Sequence, residues 1–215
     1  FLESAEAVFD SGSDEVAHFG DAAGELVVAR ERTVLVPLTH LALIEATGED
    51  AKAFLHGQLT SDINHLGADQ AQHSAWCTAK GRMQASFLVW RTGDAYQLAL
   101  AADLEAASLK RLQMFVLRAK VKLAALTDSL VLIGVAGPQA AAALAEAGLP
   151  CPAAPMATAA NDPARVIALD AQRYVVSLPQ ASAADVWQKL AAKARPAGLP
   201  VWRWLDIQAG FPLVT

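Results

Sequence analysis

The chain has 215 residues, of which 54% are hydrophobic and 18% charged, and its net charge is −5. This balance is typical of a globular protein and excludes a disordered chain, and the length allows one large domain or two halves packed together. Seven of the 22 acidic residues lie in 1–25, where there is no Lys or Arg, so the body lacks the broad positive field that non-specific binding of nucleic acid requires, and DNA is not an expected partner.

Membrane insertion and secretion are not expected. The longest uncharged run, 129–145, has 17 residues and is interrupted by Gly134, Gly137 and Pro138, so it is too short and too broken for a bilayer span. The start of the chain does not resemble a secretion signal. Cys77 and Cys151 form no CxxC pair, which favours a reducing compartment. We therefore expect a cytoplasmic protein.

The first half is predicted to mix strands and helices. Residues 1–25, rich in Ser, Gly and acids, are expected to form a loosely packed acidic lead-in. The runs LVVAR, TVLVP and HLALIEA then favour extended structure, and TGEDAKAFLHGQL favours a short helix starting near Glu49. Three adjacent strands are predicted from QHSAWCTA, MQASFLVWRT and YQLALAA, the first two joined through Lys80-Gly81-Arg82. A helix over DLEAASLKRLQMFV and a strand over LRAKVKLAAL follow.

The second half repeats this mixture. SLVLIGVAG predicts a strand, and PQAAAALAEAG predicts a helix that begins at a proline and ends at a glycine. After the proline-rich loop LPCPAAPMATAANDPA, the run RVIALDAQRYVVSLP predicts a hairpin and ASAADVWQKLAAKA a helix. The fold class is therefore α+β, built from two β-α-β type units at 26–127 and 128–215.

The stretch WCTAKGRM raises two chemical questions. Lys80 and Arg82 could supply the positive environment that a nucleophilic Cys77 needs. However, side chains alternate along a strand, so residues three apart, such as Cys77 and Lys80, face opposite sides before the turn intervenes. A buried thiol is therefore favoured. The turn could also bind an anion, but one glycine does not make a phosphate-binding loop, and a Lys-Gly turn is also an ordinary hairpin tip.

Other catalytic and metal-binding patterns are missing from the sequence. The five histidines never occur at the i, i+4 spacing of a helical zinc site, and no cysteine cluster accompanies them. No GxSxG frames a serine. We assign no catalytic residue and no metal ligand.

Two further segments are candidate binding elements. The segment LKRLQMFVLRAKVKL contains five basic residues and no acid. It is either an ordinary exposed face or a contact for a polyanion, such as RNA or the glutamate tail of a cofactor. In the second case Lys110, Arg118 and Lys120 would make the contact. In VWRWLDIQAGFP, a helix would point Trp202 and Trp204 in different directions, so one should be core and the other should line a groove or the surface.

Taken together, five phrases resemble the YgfZ group of folate-binding proteins, relatives of the aminomethyltransferase (T-protein) of the glycine cleavage system. They are FLHGQLTSDI (54–63), WCTAKGRM (76–83), FVLRAKVKL (115–123), VLIGVAGPQA (131–140) and WLDIQAGFP (204–212). The resemblance implies a GcvT-like folate-binding core of duplicated ferredoxin-like units with a tetrahydrofolate pocket. It also implies an accessory role in iron–sulfur protein maintenance and tRNA modification, with tRNA-modifying iron–sulfur enzymes as partners.

The same resemblance assigns the site residues. Trp202 matches an aromatic folate contact, and Gln208 stands where relatives place a glutamate against the pterin's amino edge. Leu41 occupies the position of a second tryptophan, and Lys80 and Arg82 are expected near the pocket mouth. The family's KGCYTGQE-like segment and C-terminal β-barrel would follow Thr215 and are expected to be absent from this chain.

Where T-proteins carry an acid after the Lys-Gly turn, this chain has Gln84, Ala85 and Ser86. The side-chain amide of a glutamine can neither gain nor lose a proton near pH 7, which argues against aminomethyl transfer. The leading hypothesis is a non-catalytic, tetrahydrofolate-binding accessory protein. The alternatives are a folate-dependent one-carbon transferase and an RNA-contacting interaction module.

Overall fold

The computed structural model describes residues 2–215. The helices are α1 Ala22–Val28, α2 Ala51–Gln58, α3 Glu105–Phe115, α4 Ala140–Glu146, α5 Ala183–Ala191 and α6 Leu199–Gln208. The strands are β1 Val8–Phe9, β2 Val16–His18, β3 Val34–Pro37, β4 Leu41–Thr47, β5 Ala71–Cys77, β6 Met83–Thr92, β7 Ala95–Ala101, β8 Lys122–Ala125, β9 Leu130–Ala136, β10 Thr158–Asn161, β11 Ala164–Ala168, β12 Arg173–Pro179 and β13 Arg195–Pro196.

The chain divides into two compact units. The central unit comprises 41–128 with 212–215, and the composite unit comprises the residues up to 40 with 129–211. The boundary predicted between 127 and 128 lies one residue from the observed boundary between 128 and 129. The prediction, however, assigned 26–40 to the same unit as the central residues. In the structure β3 pairs with β9 and β13, because sheet pairing joins elements that are distant in sequence.

The central unit is a five-stranded antiparallel sheet in the order β5-β6-β7-β4-β8. Phe54 and Leu55 of α2 and Leu112 of α3 pack with side chains of the sheet in one hydrophobic core. The three adjacent strands β5, β6 and β7 confirm the sequence prediction, and so do α2 and α3.

The composite unit contains a six-stranded sheet in the order β10-β11-β12-β9-β3-β13, in which only the β3–β13 pair is parallel. Leu144 of α4 and Trp187 and Leu190 of α5 join the core of this sheet. The hairpin predicted around 170–172 is confirmed by the pairing of β11 with β12. The duplicated ferredoxin-like α+β fold is therefore confirmed.

The acidic lead-in is more ordered than predicted, and the run LVVAR is not a strand. Leu26 to Val28 belong to α1, whose start is capped by the Asp21 carboxylate accepting from the Gly24 N–H at 3.0 Å. The buried Glu25 accepts backbone N–H groups from Phe19 at 2.7 Å and Gly198 at 2.8 Å. These polar contacts override the β preference of the valines.

The proline-rich segment before β11 also contains a short strand. Thr158–Asn161 pairs with β11 at the edge of the sheet. The sequence predicted only loop there because Ala and Asn have weak β-propensity. Pairing with an existing strand supplies the backbone hydrogen bonds that local preference does not.

Candidate functional site

Helix α6 carries two of the predicted folate contacts, Trp202 and Gln208. Trp202 is only 2% exposed and lies against Gly134 of β9, where a Cβ atom would collide with the indole ring. Trp204 is half-buried. The prediction that one of the two tryptophans is core is therefore confirmed, and Trp204 is the ring with more accessible surface.

The end of α6 explains the phrase IQAGF. Gly210 adopts a left-handed φ of 69°, its N–H donates to the Ile207 carbonyl at 3.0 Å, and the Phe211 N–H donates to the Asp206 carbonyl at 2.8 Å. These two bonds form a Schellman motif, which ends the helix at a glycine. Gln208 lies exposed in this last turn, so its side-chain amide is accessible to a ligand.

A buried ion-pair network lies one helical turn after Trp202. Arg173 of β12 is 8% exposed. Its Nε lies 2.6 Å from Asp170 Oδ2, and its Nη1 lies 2.7 Å from Asp206 Oδ1. One guanidinium thus joins a hairpin turn to α6 across the composite unit.

The two carboxylates of this network titrate differently. Burial raises the pKa of Asp206 to about 6 and outweighs the charge and hydrogen bond of Arg173, which lower it. Arg173 also bonds Asp170, so its guanidinium is divided between two carboxylates. Burial also acts to raise the pKa of Asp170, but hydrogen bonds from Arg173 and from the Gln172 N–H lower it overall. A carboxyl that changes charge near neutral pH therefore lies two residues from Gln208.

His40, at the end of the segment after β3, is a second buried ionisable group. It is 6% exposed, and its Nδ1 has no hydrogen-bond partner among residues 2–215. Burial, followed by the positive charge of Arg203, lowers the pKa of His40 to about 4. Arg203 itself pairs with Glu15 at 2.8 Å. His40 is therefore neutral at pH 7.

The other predicted folate contacts lie in the central unit. Leu41 is half-buried at the start of β4, opposite Ala101 of β7. Lys80 and Arg82 are exposed at the β5–β6 turn. The N–H groups of Gly81 and Arg82 already donate to the carbonyl and hydroxyl of Thr78, at 2.8 and 3.1 Å. An anion at this turn would therefore meet the two cationic side chains and not a backbone cradle.

The strand after this turn presents no acid. Gln84 is half-buried, while Ala85 and Ser86 are buried. The Ser86 hydroxyl accepts the Val214 N–H at 3.0 Å. The structure thus has no carboxylate at these three positions of β6.

The two cysteines differ in exposure, and the lysines and arginines of the basic segment differ in whether they form an ion pair. Cys77 is half-buried and Cys151 exposed, both as free thiols, so Cys77 is less buried than the sequence predicted, because its strand ends there. Lys120 Nζ lies 2.8 Å from Glu49 Oε2. Lys110 and Arg118 are exposed, and neither has a carboxylate within 4.0 Å among residues 2–215.

Sequence reasoning missed Arg173, Asp206 and His40. Asp206 lies inside the recognised phrase WLDIQAGFP, but only its burial marks it as unusual. Arg173 and His40 carried no local signal.

In residues 2–215 no group of three or more metal-ligating side chains could hold an ion, and no helix has the length and apolarity needed to span a bilayer.

A model of the GCVT N-terminal domain family matches residues 7–214. The chain belongs to this family. The tRNA-modifying protein YgfZ of Yersinia pseudotuberculosis is 35% identical over 182 residues, covering 84% of this chain and 55% of that protein. The protein of the same name from Cronobacter sakazakii is 34% identical, covering 86% of this chain and 57% of that protein. This GCVT N-terminal domain therefore spans little more than half the length of these relatives.

Solved structures show the same fold. Glycine cleavage system aminomethyltransferase T from Bartonella henselae superimposes with a TM-score of 0.88 at 24% identity, covering 99% of this chain and 61% of that chain. A heterotetrameric sarcosine oxidase from Corynebacterium in complex with pyrrole 2-carboxylate gives a TM-score of 0.54 at 17% identity, covering 79% of this chain and 88% of that chain. The resemblance drawn from the five sequence phrases is confirmed.

Proposed function

We propose that this GCVT N-terminal domain acts as a tetrahydrofolate-binding accessory protein of the YgfZ type, supporting tRNA modification and iron–sulfur protein maintenance in the cytoplasm without catalysing group transfer. The observation that carries the proposal is the 35% identity to tRNA-modifying relatives over 84% of the chain. Tetrahydrofolate enters through the resemblance to the folate-binding group.

The end of α6 offers suitable chemistry for a pterin. Gln208 is exposed, and its amide can both donate and accept hydrogen bonds. Trp204 supplies a partly accessible aromatic surface on the same helix. Trp202 supports the site from beneath by packing α6 against Gly134. For Leu41, Lys80 and Arg82, which belong to the central unit, a folate contact stays a prediction from the family resemblance.

The residues of β6 favour binding without turnover. Aminomethyl transfer needs a group that orients or protonates the amine of the cofactor, and Gln84, Ala85 and Ser86 cannot supply a titrating proton near neutral pH. Ser86 is moreover 8% exposed and accepts a backbone N–H. These features support an accessory role over that of a one-carbon transferase.

The test is titration with tetrahydrofolate, followed by tryptophan fluorescence and calorimetry. Gln208→Ala should weaken binding by about fivefold, the loss of one hydrogen bond. Gln208→Glu should tighten it by a similar factor, since a carboxylate would accept from the pterin's amino edge with charge assistance. Gln180→Glu, at an exposed glutamine of the same unit, is the matched control and should leave the affinity unchanged.

Two results would overturn the proposal. One is the lack of saturable binding, or Gln208 variants that behave like the control. The other is sustained turnover with an aminomethyl or methyl donor, which would assign the domain to the transferases.

A further inference from the structure

The C-terminal end of α3 exposes three large apolar side chains. Met114 is 69% exposed, Phe115 48% and Leu117 88%. Single exposed apolar residues are common in proteins. Three within four residues form a local patch of the kind that marks an interaction site.

This patch is anchored on the sheet of the central unit. The Phe115 ring meets the Trp76 ring edge-on, with centroids 6.4 Å apart and an interplanar angle of 84°. The Arg111 guanidinium lies 5.5 Å from the centroid of the same indole, which is itself 5% exposed. A fixed aromatic and a fixed arginine lose little conformational entropy when a partner binds.

Leu117 has a backbone that suits glycine. Its φ is 47°, and it directly follows the C-cap of α3, the position where helices usually carry a glycine in this left-handed conformation. A leucine there costs about 1 kcal/mol, and with 88% of its surface in solvent it returns little packing. The side chain is therefore better explained by a contact outside this chain.

The charged side chains that residues 110–118 place around the patch are all basic. Lys110, Arg111 and Arg118 are exposed, and none has a carboxylate within 4.0 Å in the part of the chain that the structure describes. The segment 106–127 contains no acidic residue. A complementary partner must bring both apolar groups and negative charge.

We propose that this α3 surface, formed by Lys110, Arg111, Met114, Phe115, Leu117 and Arg118, docks an acidic amphipathic segment of a partner protein. Leu117 and Met114 decide between a protein and RNA: aliphatic side chains do not stack on bases as flat rings do, whereas burial among apolar side chains removes them from water. Met, aromatic residues and Arg are enriched at protein interfaces. The basic side chains set orientation and association rate.

The test uses two fluorescein-labelled synthetic helical peptides that share a leucine face, one with glutamates and the other with lysines on the polar face. Fluorescence anisotropy should show saturable, salt-sensitive binding of the glutamate peptide only. M114S/L117S should weaken it at least about tenfold, and K110E/R118E should weaken it similarly and reduce its salt dependence. Phe115 is kept so that the contact with Trp76 survives.

Matched controls come from the composite unit. Val27 is 65% exposed and Lys189 is exposed, so Val27→Ser and Lys189→Glu repeat the same chemical changes elsewhere and should leave binding intact. Tetrahydrofolate affinity measured in all variants should not change. The inference thus stands or fails separately from the proposed function.

Three outcomes would overturn the assignment. The first is failure of the glutamate peptide to bind, or equal binding of the lysine peptide. The second is binding of bulk tRNA that K110E/R118E abolishes and M114S/L117S does not, which would assign the surface to RNA. The third is concentration-dependent dimerisation, in sedimentation, that is lost in M114S/L117S, which would make a second copy the occupant.

Discussion

The two units share one order of elements but differ in what completes their sheets. The central unit runs β4-α2-β5-β6-β7-α3-β8, and the composite unit runs β9-α4-β10-β11-β12-α5-β13. In the central unit β8 pairs directly with β4. In the composite unit β3 is inserted between β9 and β13. A segment from the start of the chain thus completes the second copy of the fold.

The units also differ in how they handle charge. The composite unit buries Glu25, His40 and Arg173, at 1%, 6% and 8% exposure. The buried polar residues of the central unit, all of which the structure describes, are uncharged: Ser74, Ser86, Gln97 and Ser108. The buried charges of Glu25 and Arg173 tie α1 and α6 into the composite unit, whereas the central unit, all of which the structure describes, fully buries no charged side chain. We therefore expect the loss of an ionic partner to destabilise the composite unit more than the central unit.

The strongest test of this difference is Arg173→Met. The variant leaves the carboxylate of Asp206, 16% exposed, without its partner, and breaking such a buried pair should lower the free energy of unfolding by about 3–5 kcal/mol. Urea denaturation measures the loss. Hydrogen exchange resolved by peptide should place it in the composite unit, with the central unit unaffected.

Arg165→Met is the control for that variant. Arg165 is half-buried on β11, its Nη1 bonds the Thr158 hydroxyl at 3.1 Å, and losing this bond should cost only about 1 kcal/mol. R173M/D206L should recover much of the stability, because it removes both charges. Equal losses in the two arginine variants would show that the network has no special role.

The next effect is a pair of opposing pH dependences within the composite unit. Asp206 has a folded pKa of about 6, above its ordinary 3.8, so its contribution to stability is complete below pH 3.8 and is lost as the pH rises through 6. His40 has a folded pKa of about 4, below 6.5, so its contribution is complete above pH 6.5 and is lost as the pH falls. Each shift corresponds to up to about 3 kcal/mol.

Between pH 4 and 6 these two contributions should largely cancel, and single variants should reveal them. Relative to the parent chain, Asp206→Asn should make the free energy of unfolding rise more steeply with pH, while His40→Gln should make it fall. Urea denaturation at a series of pH values measures both curves. Variant curves that run parallel to the parent curve would show that neither group titrates differently in the folded state.

Local sequence pattern predicted the central unit well because its elements are neighbours in the chain. Apolar periodicity placed α2, α3 and three consecutive strands there. It failed for α1, where the valines suggest a strand, because the helix depends on a cap by Asp21 and on Glu25 bonding Gly198, 173 residues away. The position of β3 likewise depends on pairing with β9 and β13, which no local pattern encodes.

The candidate site divides in the same way. Recognisable phrases identified Gln208 and the β5–β6 turn, whose conformations depend on nearby residues. The link between Arg173 and Asp206 spans 33 residues and carries no spacing rule. The burial of Trp202 depends on the glycine opposite it at position 134, which sequence alone did not pair with it.

The smallest expected effect concerns the central unit and a gain in stability. Leu117→Gly should relieve the left-handed strain at an exposed position, φ 47° and 88% exposed. The relief of about 1 kcal/mol is partly offset by the greater freedom of glycine in the unfolded chain, so a net gain of about 0.5 kcal/mol is expected. Urea denaturation measures it, with Leu117→Ala, which keeps a Cβ and hence the strain, as the control. If alanine stabilised as much as glycine, exposed apolar surface and not backbone strain would be the cause.

A stabilised glycine variant that no longer binds the glutamate peptide would show that the central unit gives up stability at Leu117 in favour of docking. The composite unit differs, because its buried charges serve its own stability.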